Sequence, residues 1–257
     1  MIEGHKGFQR GVVVSRRDWT TSQFSIRVKA GTLQYQAGQF TKLAMYEASG
    51  ELVRRAYSIV NHPSDHAQTG ELEFLLVSDP NGQLSPKLNE LNLGDEVLVG
   101  DTASGFMTLV ETNPTATELW MLSTGTGVGP YFSFLDDESI WQRYEKIILV
   151  HAVRFGNDLC YSDKIESLQQ QHSEVFNYVP VVSRESYPGA LSGRIPMLLD
   201  SGELESQVGV ELSAAKSFVY VCGNPQMVRE TSESLIQKGL NKHLRRQAGQ
   251  FTSENYW

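Results

Sequence analysis

Three glycines at alternate positions, Gly125, Gly127 and Gly129, follow the apolar run LWMLS and precede Pro130 in the segment LWMLSTGTGVGPYFSFL. Glycine lets a backbone approach a phosphate closely, and the free N–H groups of a helix start, with their dipole, favour an anion. A strand, a glycine turn and a helix start in succession point to nucleotide binding. A plain strand-to-helix turn would look the same, and the pattern departs from G-x-G-x-x-G because it lacks the third glycine. Open parallel sheets gather their ligands at the carboxyl ends of the strands. The other apolar runs end in HAVR with Arg154, in VVSRE with Ser183 and Arg184, and in VYVCGNPQM with Cys222 and Gly223. Singly, each arginine reads as a surface charge and Cys222 as a small buried hydrophobe; on one edge they would face a common crevice. In the first half, RRAYSIV puts Arg55 and Tyr57 on one face of a strand and Ser58 on the other. An arginine beside an aromatic hydroxyl can hold a phosphate and a flat ring, although a surface arginine next to a core tyrosine is the plainer reading.

The elements that must position these residues fall into two groups. Up to about residue 110 the apolar residues come in short alternating runs, GVVVS, FSIRV, QFTKLAM, RAYSIV, LEFLLV and DEVLVG, separated by turn-forming clusters such as QAGQF, NHPSD, DPNGQ and LGDE. That spacing predicts an antiparallel barrel or sandwich, interrupted by one helix-like segment, LSPKLNELN. After Thr112 apolar strands alternate with helical segments such as SDKIESLQQQ and NPQMVRETSESLIQKG, which predicts a parallel sheet with crossover helices. The segment ETNPTATE between the halves reads as the linker. A chain of 257 residues, 40% hydrophobic, has the size at which one core gives way to two. The expected domains are 1–110 and 111–257.

Composition narrows the chemistry. Cys160 and Cys222 are the only cysteines and lie far apart, so there is no disulfide framework, zinc spacing or four-cysteine cluster set. No metal site is expected, and redox chemistry would need an organic cofactor. A formal net charge of -8 argues against general nucleic-acid binding, which favours a basic surface. No run of 18 or more apolar residues and no leader-like start occur, so a soluble, cytoplasmic protein without membrane contact is expected.

The segments RAYS at 55–58, NGQLSP at 81–86, STGTGVGP at 123–130, VVSRE at 181–185 and CGNPQMV at 222–228, with the ending ENYW, resemble the ferredoxin-NADP reductase family in order and over nearly the whole length. The resemblance is strongest to the bacterial members that end in an aromatic tail. It implies a six-stranded antiparallel barrel holding FAD and a five-stranded parallel sheet holding NADP. It also implies hydride exchange between NADPH and FAD, then single-electron exchange with ferredoxin or flavodoxin. By the same resemblance Arg55 pairs with the FAD pyrophosphate, Ala56 lies between it and Tyr57, Tyr57 packs on the flavin ring, and Ser58 lies near its N5. The backbone around Leu75, Leu76, Val77 and Ser78, with Gln83, Leu84 and Ser85, completes that pocket, and Thr126 touches it from the second domain. Leu75 stands where some relatives have tyrosine. The glycine turn at Gly125 and Gly127 would approach the NADP phosphates with Arg154. Ser183, Arg184 and Arg194 would surround the 2'-phosphate, and Cys222 would sit beside the nicotinamide. Ser58, Cys222 and Trp257 are the residues expected nearest the chemistry.

Two features of the C-terminal region carry expectations of their own. Tyr256 and Trp257 would stack near the flavin. Lys238, Lys242, Arg245 and Arg246 lie in a stretch, Ser234 to Ser253, without Asp or Glu, and would help dock an acidic carrier. Glu185 is the nearest candidate to accept from a ribose hydroxyl, which would leave NADH use open. A monomer is expected. Two other readings fit the residues: another reductase of the same superfamily, such as an NAD(P)H-flavin reductase or an oxygenase reductase component, and a flavoprotein that binds nucleotide without turnover.

Overall fold

A computed structural model describes residues 4–256 of the chain. They form two compact units, one made of the chain through Leu109 together with Gly129–Asp137, the other of Val110–Val128 and the chain from Glu138 onward.

The first unit contains β1 (Phe8–Asp18), β2 (Gln23–Lys29), β3 (Phe40–Tyr46), β4 (Leu52–Ser58), α1 (Pro63–Thr69), β5 (Glu71–Val77), α2 (Ser85–Asn89), β6 (Glu96–Gly100) and α3 (Gly129–Leu135). The six strands pair antiparallel in the order β4-β3-β6-β1-β2-β5. An Ile59–Phe74 bridge and the Val60 N–H donated to the Glu73 carbonyl (2.8 Å) join the two outer strands and close the sheet into a barrel. Alternation does what it should: Phe24, Ile26 and Val28 on β2 and Leu72, Phe74 and Leu76 on β5 share one core with Val13, Leu43, Val97 and Val99. α3 is wholly buried. Its Ser133 hydroxyl donates to the Asn61 carbonyl (3.0 Å), which also accepts from the Tyr35 hydroxyl (3.0 Å). Its Phe134 ring and the Met107 carbonyl stand where a Cβ on Gly38 would go, at a φ of +88°, so that position admits only glycine.

The cluster NHPSD, expected as a turn, instead starts α1. His62 is extended, its Nδ1 accepts from the Ser64 N–H (3.3 Å), Pro63 opens the helix and Gly70 ends it at φ +72°. Proline inside the start and glycine past the end are stop signals that also serve a seven-residue helix.

The second unit contains β7 (Glu118–Thr124), α4 (Glu138–Arg143), β8 (Lys146–Val153), α5 (Ser162–Gln171), β9 (Phe176–Val182), β10 (Leu191–Ser192), α6 (Ile195–Asp200), α7 (Glu203–Val208), β11 (Ser217–Gly223), α8 (Pro225–Gln237) and β12 (Phe251–Asn255). All strands are parallel, in the order β10-β9-β8-β7-β11-β12. β7, β8 and β11 are buried along nearly their whole lengths, as strands covered on both faces must be. The sheet has six strands where five were expected. The added ones are short edge strands: β10 is two residues long, and β12 uses part of what reads as a tail. FTSEN lacks a long apolar run because an edge strand buries little, here chiefly Phe251.

Candidate nucleotide-binding sites on the two units

On the first unit, Arg55 and Tyr57 share a face of β4 with the core residue Val53, whereas Ser58 is buried on the other side. The Arg55 guanidinium donates to Gln83 Oε1 (2.9 Å) and to the Arg54 carbonyl (2.8 Å). Two motifs 28 residues apart, RAYS and NGQLS, therefore meet in space. Arg55 is exposed and has no carboxylate partner among the described residues, so its charge is available to an anion. Tyr57 is half-buried, and burial, opposed by Arg55, pushes its phenol up to about 12. Its hydroxyl is therefore neutral and its ring presents an apolar surface. Ala56 is exposed between them. Leu75, Leu76 and Leu84 are closed to solvent, backbone and side chain alike, whereas Val77 is exposed and Ser78 and Ser85 are half-buried. Ser78 is pinned by its N–H to the Ser22 carbonyl (2.7 Å), and the Ser85 hydroxyl accepts from the Asp79 N–H (3.0 Å).

On the second unit the residues singled out by sequence form a row along the carboxyl edge of the sheet. In spatial order they are Arg194, two residues beyond β10; Ser183 and Arg184, after β9; Arg154, after β8; Gly125 and Thr126, after β7; and Cys222 and Gly223, ending β11. The chain runs β7, β8, β9, β10 to one side and then crosses to β11 on the other, which makes β7/β11 the switch point where such sheets bind nucleotides. Arg154, Arg184 and Arg194 are all exposed, and none has a carboxylate partner among the described residues. The loops that carry the first two are joined: the Arg184 N–H donates to the Arg154 carbonyl (3.0 Å), and the Ser183 hydroxyl and N–H both donate to the Val153 carbonyl (3.2 and 3.1 Å).

Three expectations change here. The helix start after the glycine turn is a 3-10 turn, Gly125–Val128, followed by the short buried α3, so a helix dipole adds little and the arginines carry the charge. Gly127 serves packing: a Cβ there would come within 2.8 Å of the Cys222 carbonyl oxygen and 3.0 Å of Gly223 Cα. Gly125, with φ +54° and nothing within 4 Å of a Cβ, is the glycine of the turn whose surroundings are open. Glu185 does not offer its carboxylate freely, because Oε1 accepts the Gly156 N–H at 2.6 Å. Cys222 is wholly buried, and burial first, then Glu254, pushes its thiol well above the usual range, so it stays protonated. Tyr256 follows β12 and donates its N–H to the Gly223 carbonyl (3.0 Å), which brings it to the switch point; Trp257 lies outside the described residues.

Comparison with known proteins agrees with this geometry. Residues 12–102 match the family model of the oxidoreductase FAD-binding domain, and residues 121–233 that of the oxidoreductase NAD-binding domain. The flavodoxin/ferredoxin-NADP reductase of Escherichia coli strain K12 is 46% identical over 248 residues, covering 96% of this chain and 98% of that protein. The chain belongs to the flavodoxin/ferredoxin-NADP reductase family. A second relative of that description, from Buchnera aphidicola subsp. Baizongia pistaciae, is 42% identical and covers 95% of this chain and 97% of its own length. The crystal structure of a ferredoxin NADP+ reductase from Neisseria gonorrhoeae with bound FAD and NADP superposes with a TM-score of 0.91 at 30% identity, over 98% of this chain and 100% of that one.

Motif reading of this reductase family member overlooks two residues that hold the site. His151, on β8, is wholly buried and its Nε2 lies 3.1 Å from the Gly125 carbonyl; a lone polar residue inside the apolar run IILVHAV was the available signal. Asn224 donates its N–H to Thr124 Oγ1 (2.9 Å) and caps α8 by accepting from the Gln226 N–H (2.9 Å), a role that Asn before Pro announces.

Proposed function

We propose that the chain is an FAD-dependent ferredoxin (flavodoxin)-NADP reductase, with FAD held by residues 1–110 and NADP by residues 111–257. The observation that carries the reading is the row of three arginines without carboxylate partners, leading along adjacent strand ends to the β7/β11 switch point. Neighbouring strands lie about 4.8 Å apart, so such a row suits an elongated, multiply phosphorylated nucleotide. The chemistry that bound FAD supplies is exchange between a two-electron nicotinamide and a one-electron carrier.

The chain's own residues bind and orient. Arg55, steadied by Gln83, holds the FAD pyrophosphate. Tyr57 gives the flavin ring an apolar face, Ala56 leaves room beside it, and Ser58 lies near the reacting edge. Val77, Ser78 and Ser85 complete this pocket, with the buried Leu75, Leu76 and Leu84 supporting it from beneath. Arg154 meets the phosphates common to NADH and NADPH; Ser183, Arg184 and Arg194 meet the 2'-phosphate. Gly125, Thr126 and Gly127 form the turn that the cofactors approach. Cys222, protonated and packed, sets the floor beside the nicotinamide as a shape and not as a nucleophile, with Tyr256 and Trp257 as the aromatic end of the site.

Ferredoxin or flavodoxin as carrier, a monomeric state and a cytoplasmic location belong to the same proposal. Among the described residues no helix is long and apolar enough to cross a membrane, and no group of three or more His, Cys, Asp or Glu could hold a metal ion. The test is turnover of the purified yellow protein with NADPH and separately purified ferredoxin and flavodoxin. Reduction of either carrier supports the reading. Reduction of free flavin alone would make it a flavin reductase, and no NADPH-dependent reduction would make it a binding protein.

A further inference from the structure

His151 is a polar ring in a place built for an apolar one. It is wholly buried in β8, flanked by Val150 and Ala152, and in register with Ser123 and Pro180 on the neighbouring strands. Its Nδ1 is buried without a hydrogen-bond partner, a cost that leucine or methionine at this position would avoid. Nothing on the Nδ1 side therefore fixes the tautomer. At 3.1 Å from a carbonyl oxygen, Nε2 must be the protonated nitrogen, since two acceptors would repel. Burial lowers the ring's pKa to about 4, so it is neutral in ordinary buffers.

The glycine turn is clamped on its other flank by backbone packing. The Asn224 N–H donates to Thr124 Oγ1, Gly127 lies against Cys222 and Gly223, and Gly223 at φ +142° has no room for a Cβ beside Thr124. From the β8 side, the bond to the turn is that of His151. A trans peptide unit is planar, with its C=O and N–H opposed. A donor on the Gly125 carbonyl therefore fixes the direction of the Thr126 N–H.

We propose that His151 is a positioning residue: by donating from Nε2 to the Gly125 carbonyl it holds the Gly125–Thr126 peptide in the orientation that receives the nicotinamide nucleotide, and so sets its affinity without touching it. This rests on the strand-end row being the nucleotide site.

The experiment titrates NADP+ into the FAD-loaded protein by calorimetry and follows amide hydrogen exchange at Thr126 and Gly127. His151→Leu keeps the bulk and loses the donor; His151→Gln keeps a donor of similar reach. The Leu variant is expected to bind NADP+ about tenfold more weakly, the change that loss of one ordinary hydrogen bond produces, and to exchange faster at both amides. The Gln variant should stay within about threefold of the parent, with FAD content equal in all three. A Leu variant with parental affinity and parental exchange overturns the proposal, as does a Gln variant no better than Leu. If the Leu variant does not fold, 15N spectra of the parent decide: an Nε2–H tautomer that exchanges slowly supports the latch, and an Nδ1–H tautomer overturns it. Should the parent itself fail to bind NADP+, the nucleotide-site reading falls, whereas exchange at Thr126 still reports on the latch.

Discussion

Replacing Arg184 and Arg194 by alanine should remove most of the preference for NADPH over NADH, and replacing Arg154 should not. NADPH differs from NADH only by a 2'-phosphate carrying close to two charges, so discrimination must come from groups that meet it. The row places Arg194 beyond β10 and Arg184 beyond β9, at the far end from the switch point, with Arg154 one strand nearer to it. None of the three is neutralised by a carboxylate among the described residues, so an incoming phosphate displaces only water from them. A hydrogen bond to a charged group contributes about 1.5 to 3 kcal/mol, which is at least tenfold per arginine. Because adjacent strands are about 4.8 Å apart, the two side chains would share one phosphate, and their losses need not add. The double variant should therefore lose on the order of a hundredfold in kcat/KM for NADPH while NADH use stays within about threefold. Arg154→Ala should instead lower kcat/KM for both nucleotides by a similar factor. The assay is steady-state dye reduction with each nucleotide across the three proteins. An unchanged NADPH to NADH ratio in the double variant would refute the assignment, and a loss confined to NADPH in Arg154→Ala would show that the row is read from the wrong end. Glu185 is not expected to favour NADH, because its carboxylate already accepts the Gly156 N–H.

His151 also makes stability depend on pH. Its folded pKa of about 4 lies below the ordinary value of 6.5, so between the two the unfolded chain binds the extra proton; its contribution is complete above pH 6.5, falls as pH drops, and at about pH 4 has changed by on the order of 3 kcal/mol. Urea midpoints at pH 7 and 4.5 should separate less in His151→Gln than in the parent, and an equal separation would count against the burial argument. Gly38→Ala should destabilise by at least about 3 kcal/mol, since φ +88° is strained for alanine and the Met107 carbonyl and Phe134 ring occupy the Cβ position; a melting temperature within a degree or two of the parent would contradict that packing. Reversing Arg245 and Arg246 to glutamate should raise the KM for an acidic carrier and leave dye reduction alone, whereas Lys238, paired with Glu205 at 2.5 Å, should matter less for the carrier. Deleting Trp257 should change flavin fluorescence and nucleotide affinity together, and a deletion identical to the parent in both would remove the stacking proposal.

What could be read from the residues, and what could not, divides along physical lines. The six barrel strands and the central parallel strands were legible because burial on one face or on two leaves a period in the sequence. α1 was not: Pro63 and Gly70 are turn residues by type, and seven residues are too few for a 3.6-residue period to show. α4, α6 and α7 were missed for the same reason, being six residues long, and β10 and β12 because short edge strands bury little. At the site, cations and glycines at strand ends were legible because parallel topology alone brings strand ends together. The work of each residue was less so. Gly127 looks like a phosphate glycine and is one that lets two backbones touch; Glu185 looks like a free acceptor and is tied to Gly156. Both depend on contacts between segments that are about 30 to 100 residues apart in sequence, and no local pattern encodes them. His151 is the instructive case, since its type and its apolar neighbours already conflict in sequence. A buried polar residue without an evident partner marks a place where the fold is spending stability on geometry. Here that geometry is the orientation of one peptide in the turn beside the switch point, so the conflict in the sequence and the proposed role in the site have a single physical origin.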